Sequence, residues 1–299
     1  MKKPLLIPRQ TLAIYGFMGA PLALVGYPIA IWLPAFYASH VGVSLAGVAT
    51  MLLLAKLSDV ITDPIIGVIS DRMRTPWGRR RPLILLGTPV LVVSIWFLFV
   101  PPAEVGEWYL LVCIVGMYVG TSLIGLPYGA WGAEISPDYN QRARITAWRE
   151  QFTLIGLLVA AFIPFLVEQY GDGKIESIMR GMAIAIGFTA PVSALLLAIF
   201  VRETPPENVS GKNEMPFVEG VKRIWANNPM RIVIGLILIV TMAEAFRNAL
   251  SLFFMRAVIQ ASDVGTLYFG YFTAGLLAVP FWLWLGRKLG KHIAFSITL

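Results

Sequence analysis

The sequence predicts an all-α polytopic membrane protein, a helical bundle that crosses the bilayer several times. Hydrophobic residues make up 57% of the 299 positions and charged residues only 14%, and the mean hydropathy is +0.73. A soluble domain carries about 25% charged residues, so a soluble enzyme and a nucleic-acid-binding domain are both unexpected. A helical span needs about 20 mostly apolar residues, which leaves room for about eight or nine spans.

Runs without charged residues locate these spans. No Asp, Glu, Lys or Arg occurs between Arg9 and Lys56. That stretch is too long for one span, and turn residues from Pro34 to Ser44 divide it in two. The predicted spans cover about 11–38, 45–70, 82–103, 108–133, 151–167, 181–201, 230–256 and 264–286, and the final run IAFSITL begins a ninth.

The basic residues predict the orientation. Of the 24 Lys and Arg residues, 18 lie before the first span or in every second loop after it, whereas the other loops hold only Lys174, Arg180 and Arg256. Because cytoplasmic loops are enriched in Lys and Arg, we expect a cytoplasmic N-terminus in a bacterial inner (plasma) membrane. This asymmetry accounts for the net charge of +7. The expected partner is the lipid bilayer, without nucleic acid, and we expect a monomer.

The longest polar stretch, 202–229, divides the chain. Residues 1–201 are predicted to form an N-terminal six-helix half, and residues 230–299 the start of a C-terminal half with spans seven, eight and part of a ninth. Within this cytoplasmic linker, apolar residues recur at helical spacing from Phe217 to Trp225, which predicts a short interfacial helix. A second six-helix half would need further helices, so we expect a C-terminally truncated chain.

The strongest functional signal is a charged group inside the second span. Asp59 and Asp63 are four residues apart and share one helix face, with Lys56 on the same side. Two nearby carboxylates in a span require a proton, a paired cation or a bound ion. If Lys56 pairs with one, the other is free for H⁺ or Na⁺, and Pro64 frees the Val60 carbonyl as a further cation ligand. The alternative is a static Lys–Asp pair that only joins helices.

Other charged residues in the spans are candidates for solute contact. Glu244 and Arg247, followed by Asn248, form either a self-contained ion pair or a contact that faces a central cavity. Arg149 could extend to the cytoplasm or hydrogen-bond a hydroxylated or anionic substrate. Glu134, at the end of the fourth span, is expected to face the Arg-rich cytoplasmic loops.

Aromatic residues are plentiful, and most are expected at the membrane interface or in helix packing. A few could stack on a sugar ring, with Tyr128 and Trp131 as candidates. The sequence contains no H-E-x-x-H, G-x-S-x-G or P-loop motif. Neither an enzyme nor a bound cofactor is therefore predicted, and the metal ion considered is Na⁺ at Asp59 and Asp63.

Several motifs, in order along the chain, resemble one transporter family. They are KLSDVITDPIIGVISDRMRTPWGRRRP at 56–82, YGFMGAP and FYASHVGVS in the first span, and LPYGAWGAEISPDYNQRARITAWRE at 126–150. The first block, with D-x-x-x-D-P and W-G-R-R-R-P, resembles the helix 2 and loop 2–3 signature of the glycoside–pentoside–hexuronide:cation symporters. These melibiose-carrier-like proteins belong to the major facilitator superfamily, and the similarity is closest over about 10–160.

The resemblance implies a major facilitator-type bundle of two six-helix halves that carries a sugar, glycoside or related hydroxylated solute with H⁺ or Na⁺ by alternating access. It implies that Asp59 and Asp63 bind the cation, with Thr62 and Ser122 beside them, and that Arg149 lies near the sugar. The candidate substrate-binding residues are Lys56, Tyr128, Trp131, Arg149, Glu244, Arg247 and Asn248. The candidates for a cytoplasmic gate are Asp71, Arg72, Arg79, Arg80, Arg81 and Glu134.

This sequence departs from the melibiose type at three positions. Melibiose-type members carry Asp residues where Ala23 and Gly125 stand here, and a Trp where Gly129 stands. The resemblance therefore does not imply galactoside recognition. H⁺ is slightly favoured over Na⁺ because Lys56 already supplies a positive charge. The alternatives are a carrier for a lysolipid or another amphiphile, and a non-transporting membrane sensor or scaffold.

Overall fold

The computed structural model describes residues 6–203, 217–261 and 263–289, and these residues confirm the all-α prediction. Helices α1 to α3 are Arg9–Phe17, Gly19–Ile31 and Leu33–Phe36, followed by a π-helical turn at Tyr37–Val41. Helices α4 to α8 are Leu45–Arg72, Arg81–Phe99, Glu107–Glu134, Tyr139–Tyr170 and Ile175–Phe200. Helices α9 to α11 are Phe217–Ala226, Asn228–Ala257 and Val264–Leu289.

The helices agree with the predicted membrane spans. Seven stretches of the described chain are long and apolar enough to cross a membrane, and they correspond to the first seven predicted spans. The eighth predicted span forms α11. Its continuous apolar part, Val264–Ala278, is shorter than the seven spans above. The run predicted to begin a ninth span lies outside the described residues. The short helix predicted in the linker is α9, and its place at the membrane interface stays a prediction.

The first predicted span is a broken helix. Pro28 and Pro34 lie inside it, and proline cannot donate the backbone hydrogen bond that continues a helix. The sequence predicts a turn beginning at Pro34, whereas Pro34 lies within α3. The chain turns at Gly42, whose φ of 85° is a conformation that glycine adopts without strain. Ser44 then caps α4 by accepting a hydrogen bond from the Gly47 N–H at 3.0 Å.

Helix α7 is longer than the predicted fifth span. It begins at Tyr139 rather than at 151, because Asp138 accepts a hydrogen bond from the Gln141 N–H at 2.8 Å and starts the helix there. The first turns of α7 carry Arg142 and Arg144. Charge-free runs are the criterion for the predicted spans, and they leave out helical turns that carry charged residues. The predicted fifth span therefore begins later than α7 does.

The loops define two ends of the bundle. We name the end with loops 73–80 and 135–138 the basic face, because these loops and the adjoining helix ends carry many of the arginines. The other end, with loops 37–44, 100–106 and 171–174, is the opposite face. The cytoplasmic location of the basic face stays a prediction.

Small residues bring neighbouring helices into close contact. A Cβ added to Gly120 of α6 would lie 2.7 Å from the backbone nitrogen of Leu91 in α5. A Cβ added to Gly156 of α7 would lie 2.4 Å from the carbonyl oxygen of Ala20 in α2. Such close backbone approach is typical of helix packing in membranes. With α4 packed against α6 as well, these contacts position the helices that carry the candidate site.

Candidate functional site

The predicted Lys–Asp pair is formed on α4. Lys56 Nζ lies 2.7 Å from Asp59 Oδ2 and 4.5 Å from the centre of the Tyr118 ring on α6. The Asp59 side chain is 11% exposed, whereas that of Lys56 is 65% exposed. The carboxylate is therefore enclosed by the bundle, and the lysine reaches it from a more accessible position.

Asp63 has a different partner. The Ser122 hydroxyl of α6 donates a hydrogen bond to Asp63 Oδ1 at 2.5 Å, and α4 continues as a helix through Pro64. Asp59 and Asp63 therefore stay on one helix face, as the sequence predicts. We name Lys56, Asp59, Thr62, Asp63 and Ser122 the acidic cluster.

Two oxygen atoms in the acidic cluster are buried without a hydrogen-bond partner among the described residues: Asp59 Oδ1 and Thr62 Oγ1. Leaving such an atom unpaired costs about 1–3 kcal/mol. The cluster holds two carboxylates and one ammonium group, a net charge of −1 when all three are ionised. A hard cation prefers carboxylate and hydroxyl oxygens, so the cluster has both the charge and the ligand atoms to bind one.

A cavity of about 510 Å³ lies between α2, α7, α10 and α11. Its lining is mainly apolar and aromatic, with Tyr27, Tyr268 and Phe272 among the aromatic residues, and the predicted residues Arg247 and Asn248 contribute polar groups. Ala23, at a position where melibiose-type carriers have an Asp, also lines it. Glu244 lies next to the cavity residues, with its Oε1 3.9 Å from Arg247 Nη2 and its side chain exposed.

Arg149 lies at a smaller cavity of about 160 Å³ near the basic face, which Tyr15, Gly129 and Arg142 also line. Its guanidinium contacts Glu150 at 2.9 Å. Tyr128 is buried beside this cavity and stacks on Tyr15 with ring centres 4.6 Å apart. The candidate substrate residues therefore lie in different places. The sequence does not predict this separation, because helical periodicity does not reveal which neighbouring helix a face meets.

The arginines predicted to form a gate converge at the basic face. Arg79 and Arg80 both donate to Glu134 Oε1, at 2.5 and 2.8 Å. Arg80 is 3% exposed, and its other terminal nitrogen contacts Asp71 at 2.9 Å and the Ser70 hydroxyl at 2.6 Å. Together these residues join the ends of α4 and α6 and the start of α5, and we name them the arginine network.

Three further predicted residues lie near the arginine network. Arg72 ends α4 and is exposed. Arg81 donates to the Val201 carbonyl at 2.9 Å and lies 5.8 Å from the centre of the Trp131 ring. Trp131, predicted as a substrate residue, is thus a buried neighbour of this basic-face group.

Glu203 is a contributor that the sequence analysis misses. Its Oε1 accepts hydrogen bonds from the backbone N–H groups of Arg79 and Arg80, both at 2.7 Å. A carboxylate is stabilised at a helix N-terminus, and these N–H groups precede α5. Glu203 therefore fixes the loop that carries the arginine side chains. The sequence feature that could have pointed to Glu203 is its position directly after a span, in a stretch reading R-E-T-P-P.

A bundle of membrane-spanning helices, with an acidic cluster inside one span and an arginine network at one end, has the architecture of a major facilitator-type carrier. Comparison with known proteins agrees. The chain belongs to the family described as MFS/sugar transport protein, whose model matches residues 14–299, and the homologues are transporters.

Three relatives illustrate the range of the family. The chain is 26% identical to the uncharacterized symporter YnaJ of Bacillus subtilis (strain 168), covering 92% of this chain and 61% of the relative. It is 23% identical to the isoprimeverose transporter of Lactiplantibacillus pentosus, covering 88% and 56%. It is 28% identical to the sphingosine-1-phosphate transporter MFSD2B of Xenopus tropicalis, covering 95% and 62%. The chain thus spans about three fifths of the length of these relatives.

Proposed function

We propose that this protein is a secondary transporter of a bacterial inner membrane that couples entry of H⁺ or Na⁺ to symport of a sugar, glycoside or related hydroxylated solute. The observation that carries the proposal is the acidic cluster, with its net charge of −1 when all three groups are ionised. Buried oxygens of Asp59 and Thr62 have no hydrogen-bond partner among the residues that the structure describes. A charged group inside a span is costly, and such groups mark functional sites in membrane proteins. Cation binding would both neutralise the charge and satisfy these oxygens.

The acidic cluster supports a simple coupling scheme. Without a bound cation, the net negative charge disfavours movement of the cluster through the low-dielectric part of the bundle. With the cation bound between Asp59 and Asp63, the charge is balanced and the α4–α6 contact through Ser122 is kept. Coupling then requires that cation and solute bind more tightly to the same arrangement of the helices. H⁺ is slightly favoured over Na⁺ because Lys56 already occupies one side of Asp59.

The cavity between α2, α7, α10 and α11 is the proposed solute site. Its volume of about 510 Å³ is within the range of about 300–1,000 Å³ typical of small-molecule pockets. Tyr268 and Phe272 can stack on a sugar ring, and Arg247, Asn248 and Ser251 can hydrogen-bond to hydroxyl groups. The relative named isoprimeverose transporter supports a sugar or glycoside as the solute class.

A second candidate function, transport of an amphiphile, is favoured by the composition of the same cavity. Its lining is mainly apolar, with Ala23, Ala30, Ile31 and Leu157 among the aliphatic residues. Arg247 would pair with an anionic head group, while the apolar part would accept a hydrocarbon chain. The relative named sphingosine-1-phosphate transporter MFSD2B supports this solute class.

Uptake into proteoliposomes with an imposed H⁺ or Na⁺ gradient tests both candidates. The solutes are a panel of glycosides, pentosides and hexuronides, and lysophosphatidylcholine and sphingosine-1-phosphate as amphiphiles. We expect gradient-driven uptake of a sugar or glycoside that falls at least about 100-fold in Asp59→Asn and in Asp63→Asn, the effect of removing one essential charge. Uptake of an amphiphile alone would favour the second candidate.

Asp172→Asn is the matched control. Asp172 lies in an exposed loop at the opposite face, where hydrogen bonds from the Lys174 N–H and the Ser177 hydroxyl hold the pKa of its carboxyl below the ordinary value. It is thus an ionised carboxylate outside the spans, and its replacement should leave uptake unchanged. Driven uptake that persists in both α4 variants would show that the acidic cluster is not the coupling site.

A further inference from the structure

A contact between α7 and α11 joins the two predicted halves of the chain at the opposite face. Glu168, near the end of α7, accepts a hydrogen bond through its Oε2 from the backbone N–H of Gly265 in the first turn of α11, at 2.8 Å. One turn before Glu168, Phe165 stacks on Phe269 with ring centres 5.1 Å apart. Helix α7 belongs to residues 1–201 and α11 to residues 230–299.

The chemistry of this contact is specific. The first N–H groups of a helix lack partners within the helix, and they carry a partial positive charge that a carboxylate stabilises. Asp263 directly precedes α11, the first turn of the helix contains no acidic residue, and Glu168 adds a carboxylate from another helix. Gly265 is buried, and a Cβ added there would overlap Glu168 Oε2 and lie 2.9 Å from the Phe165 backbone nitrogen. Any side chain at 265 would therefore push α11 away from α7.

The contact lies on the side of the cavity that faces the opposite face. Helix α11 starts at the opposite face, and its cavity-lining residues follow Gly265 in the chain. Two further contacts hold α10 and α11 against the α2 region: the ring of the cavity residue Tyr27 lies 5.9 Å from that of Tyr268, and the Arg256 guanidinium lies 5.9 Å from the Trp32 ring. The Glu168–Gly265 hydrogen bond thus lies between the cavity-lining part of α11 and the opposite face.

We infer that Glu168 is a latch: its carboxylate holds α11 against α7 and keeps the cavity closed at the opposite face. If the protein transports by alternating access, as proposed above, this bond must break each time the cavity opens there. Glu168 is not one of the residues that line the cavity, and it does not belong to the acidic cluster. Its role is to position α11, and it acts on access to the cavity rather than on solute binding.

Labelling of a cavity cysteine tests the latch without requiring transport. Cys113 is replaced by Ser, since it is the chain's one cysteine, and Ala30→Cys provides a reporter in the cavity. A membrane-impermeant maleimide is then added to sealed vesicles. Gly106→Cys and Thr75→Cys, in loops at the opposite face and the basic face, report which face is outside. We expect Glu168→Ala to raise the labelling rate from the opposite face by roughly tenfold, the size of one charge-assisted hydrogen bond.

Two further variants separate a latch from a merely structural contact. Glu176→Ala is the matched control: Glu176 is also at the opposite face, but it contacts His40, at 2.6 Å, within residues 1–201, and its loss should leave labelling unchanged. Gly265→Ala keeps the carboxylate but separates the helices, and it should raise labelling as Glu168→Ala does. If Glu168→Ala does not fold, the labelling rate in Gly265→Ala tests the latch by itself, because this variant leaves Glu168 in place.

Unchanged labelling of Ala30→Cys in folded Glu168→Ala or Gly265→Ala protein would overturn the latch. Loss of thermal stability without faster labelling would also overturn it, since that result describes a helix cap only. Failure of the proposed transport function is a separate result. It would appear as absent uptake in the wild type, with the labelling difference intact.

Discussion

Two groups of charged side chains lie at different depths of the bundle, and they differ in how their charges are balanced. In the arginine network, Arg79 and Arg80 share Glu134, and Arg80 also contacts Asp71. In the acidic cluster, one lysine faces two carboxylates, and Asp59 Oδ1 has no partner among the described residues. The first arrangement cross-links helix ends. The second has a net negative charge when all three groups are ionised, which the proposed cation would balance.

The largest expected effect comes from breaking the arginine network. Glu134→Ala removes the acceptor shared by Arg79 and Arg80 and leaves the buried Arg80 guanidinium with less compensation. Removing one partner of a buried ion pair costs about 3 kcal/mol or more, and we expect a loss of that size in the free energy of unfolding in detergent. Glu150→Ala, which removes the partner of the more exposed Arg149, should cost less than about 1 kcal/mol. Equal losses in the two variants would contradict the comparison.

An intermediate effect is expected from changing the charge of the acidic cluster. Lys56→Met would change its net charge from −1 to −2, which strengthens attraction for a cation. We expect the cation concentration that half-saturates driven uptake to fall by roughly tenfold, after allowing for solvent screening of the exposed lysine. Initial uptake rates measured against cation concentration give this value. Lys174→Met, in a loop at the opposite face, is the control, and an unchanged value in Lys56→Met would indicate a static Lys–Asp pair.

The smallest expected effect concerns a single hydroxyl group. Thr62→Val removes a buried oxygen that has no described partner, so the free energy of unfolding should stay equal or rise slightly. If Thr62 binds the cation, the half-saturating cation concentration should rise about three- to tenfold, the value of one ligand hydrogen bond or contact. Thr88→Val is the contrasting variant, because the Thr88 hydroxyl donates to the Ile84 carbonyl at 2.7 Å. It should lower stability and leave the cation dependence unchanged, and the reverse pattern would exclude Thr62 as a ligand.

The sequence predicts much of the fold because a bilayer imposes a simple rule: long runs without charge must be helices. It predicts that Lys56 can pair with one of the two carboxylates and that Glu134 faces the Arg-rich loops, because these residues are local to one helix or part of a recognisable motif. The choice of Asp59, and the contacts of Arg79 and Arg80 with Glu134, come from the structure. It does not predict the start of α7, where charged residues continue a helix beyond the apolar core.

Contacts that depend on three-dimensional proximity are the ones the sequence does not reveal. Glu168 and Glu203 each hydrogen-bond to backbone N–H groups of a distant segment. Backbone groups carry no sequence signature, so neither contact can be inferred from residue types. The separation of Arg149 from Arg247 has the same origin, since helical spacing fixes the face of a residue but not the helix that it meets.

The reciprocal bonding of Tyr15 and Tyr128 limits how the first helices can move. Each hydroxyl donates to the backbone carbonyl of the other residue, both at 3.0 Å, and both side chains are buried. Sliding α1 along α6 by one helical turn, about 5.4 Å, would break both bonds together, whereas tilting the two helices as one body breaks neither. Helices α1 and α6 are therefore locked in register, and in the proposed transport cycle they would move together as one rigid unit.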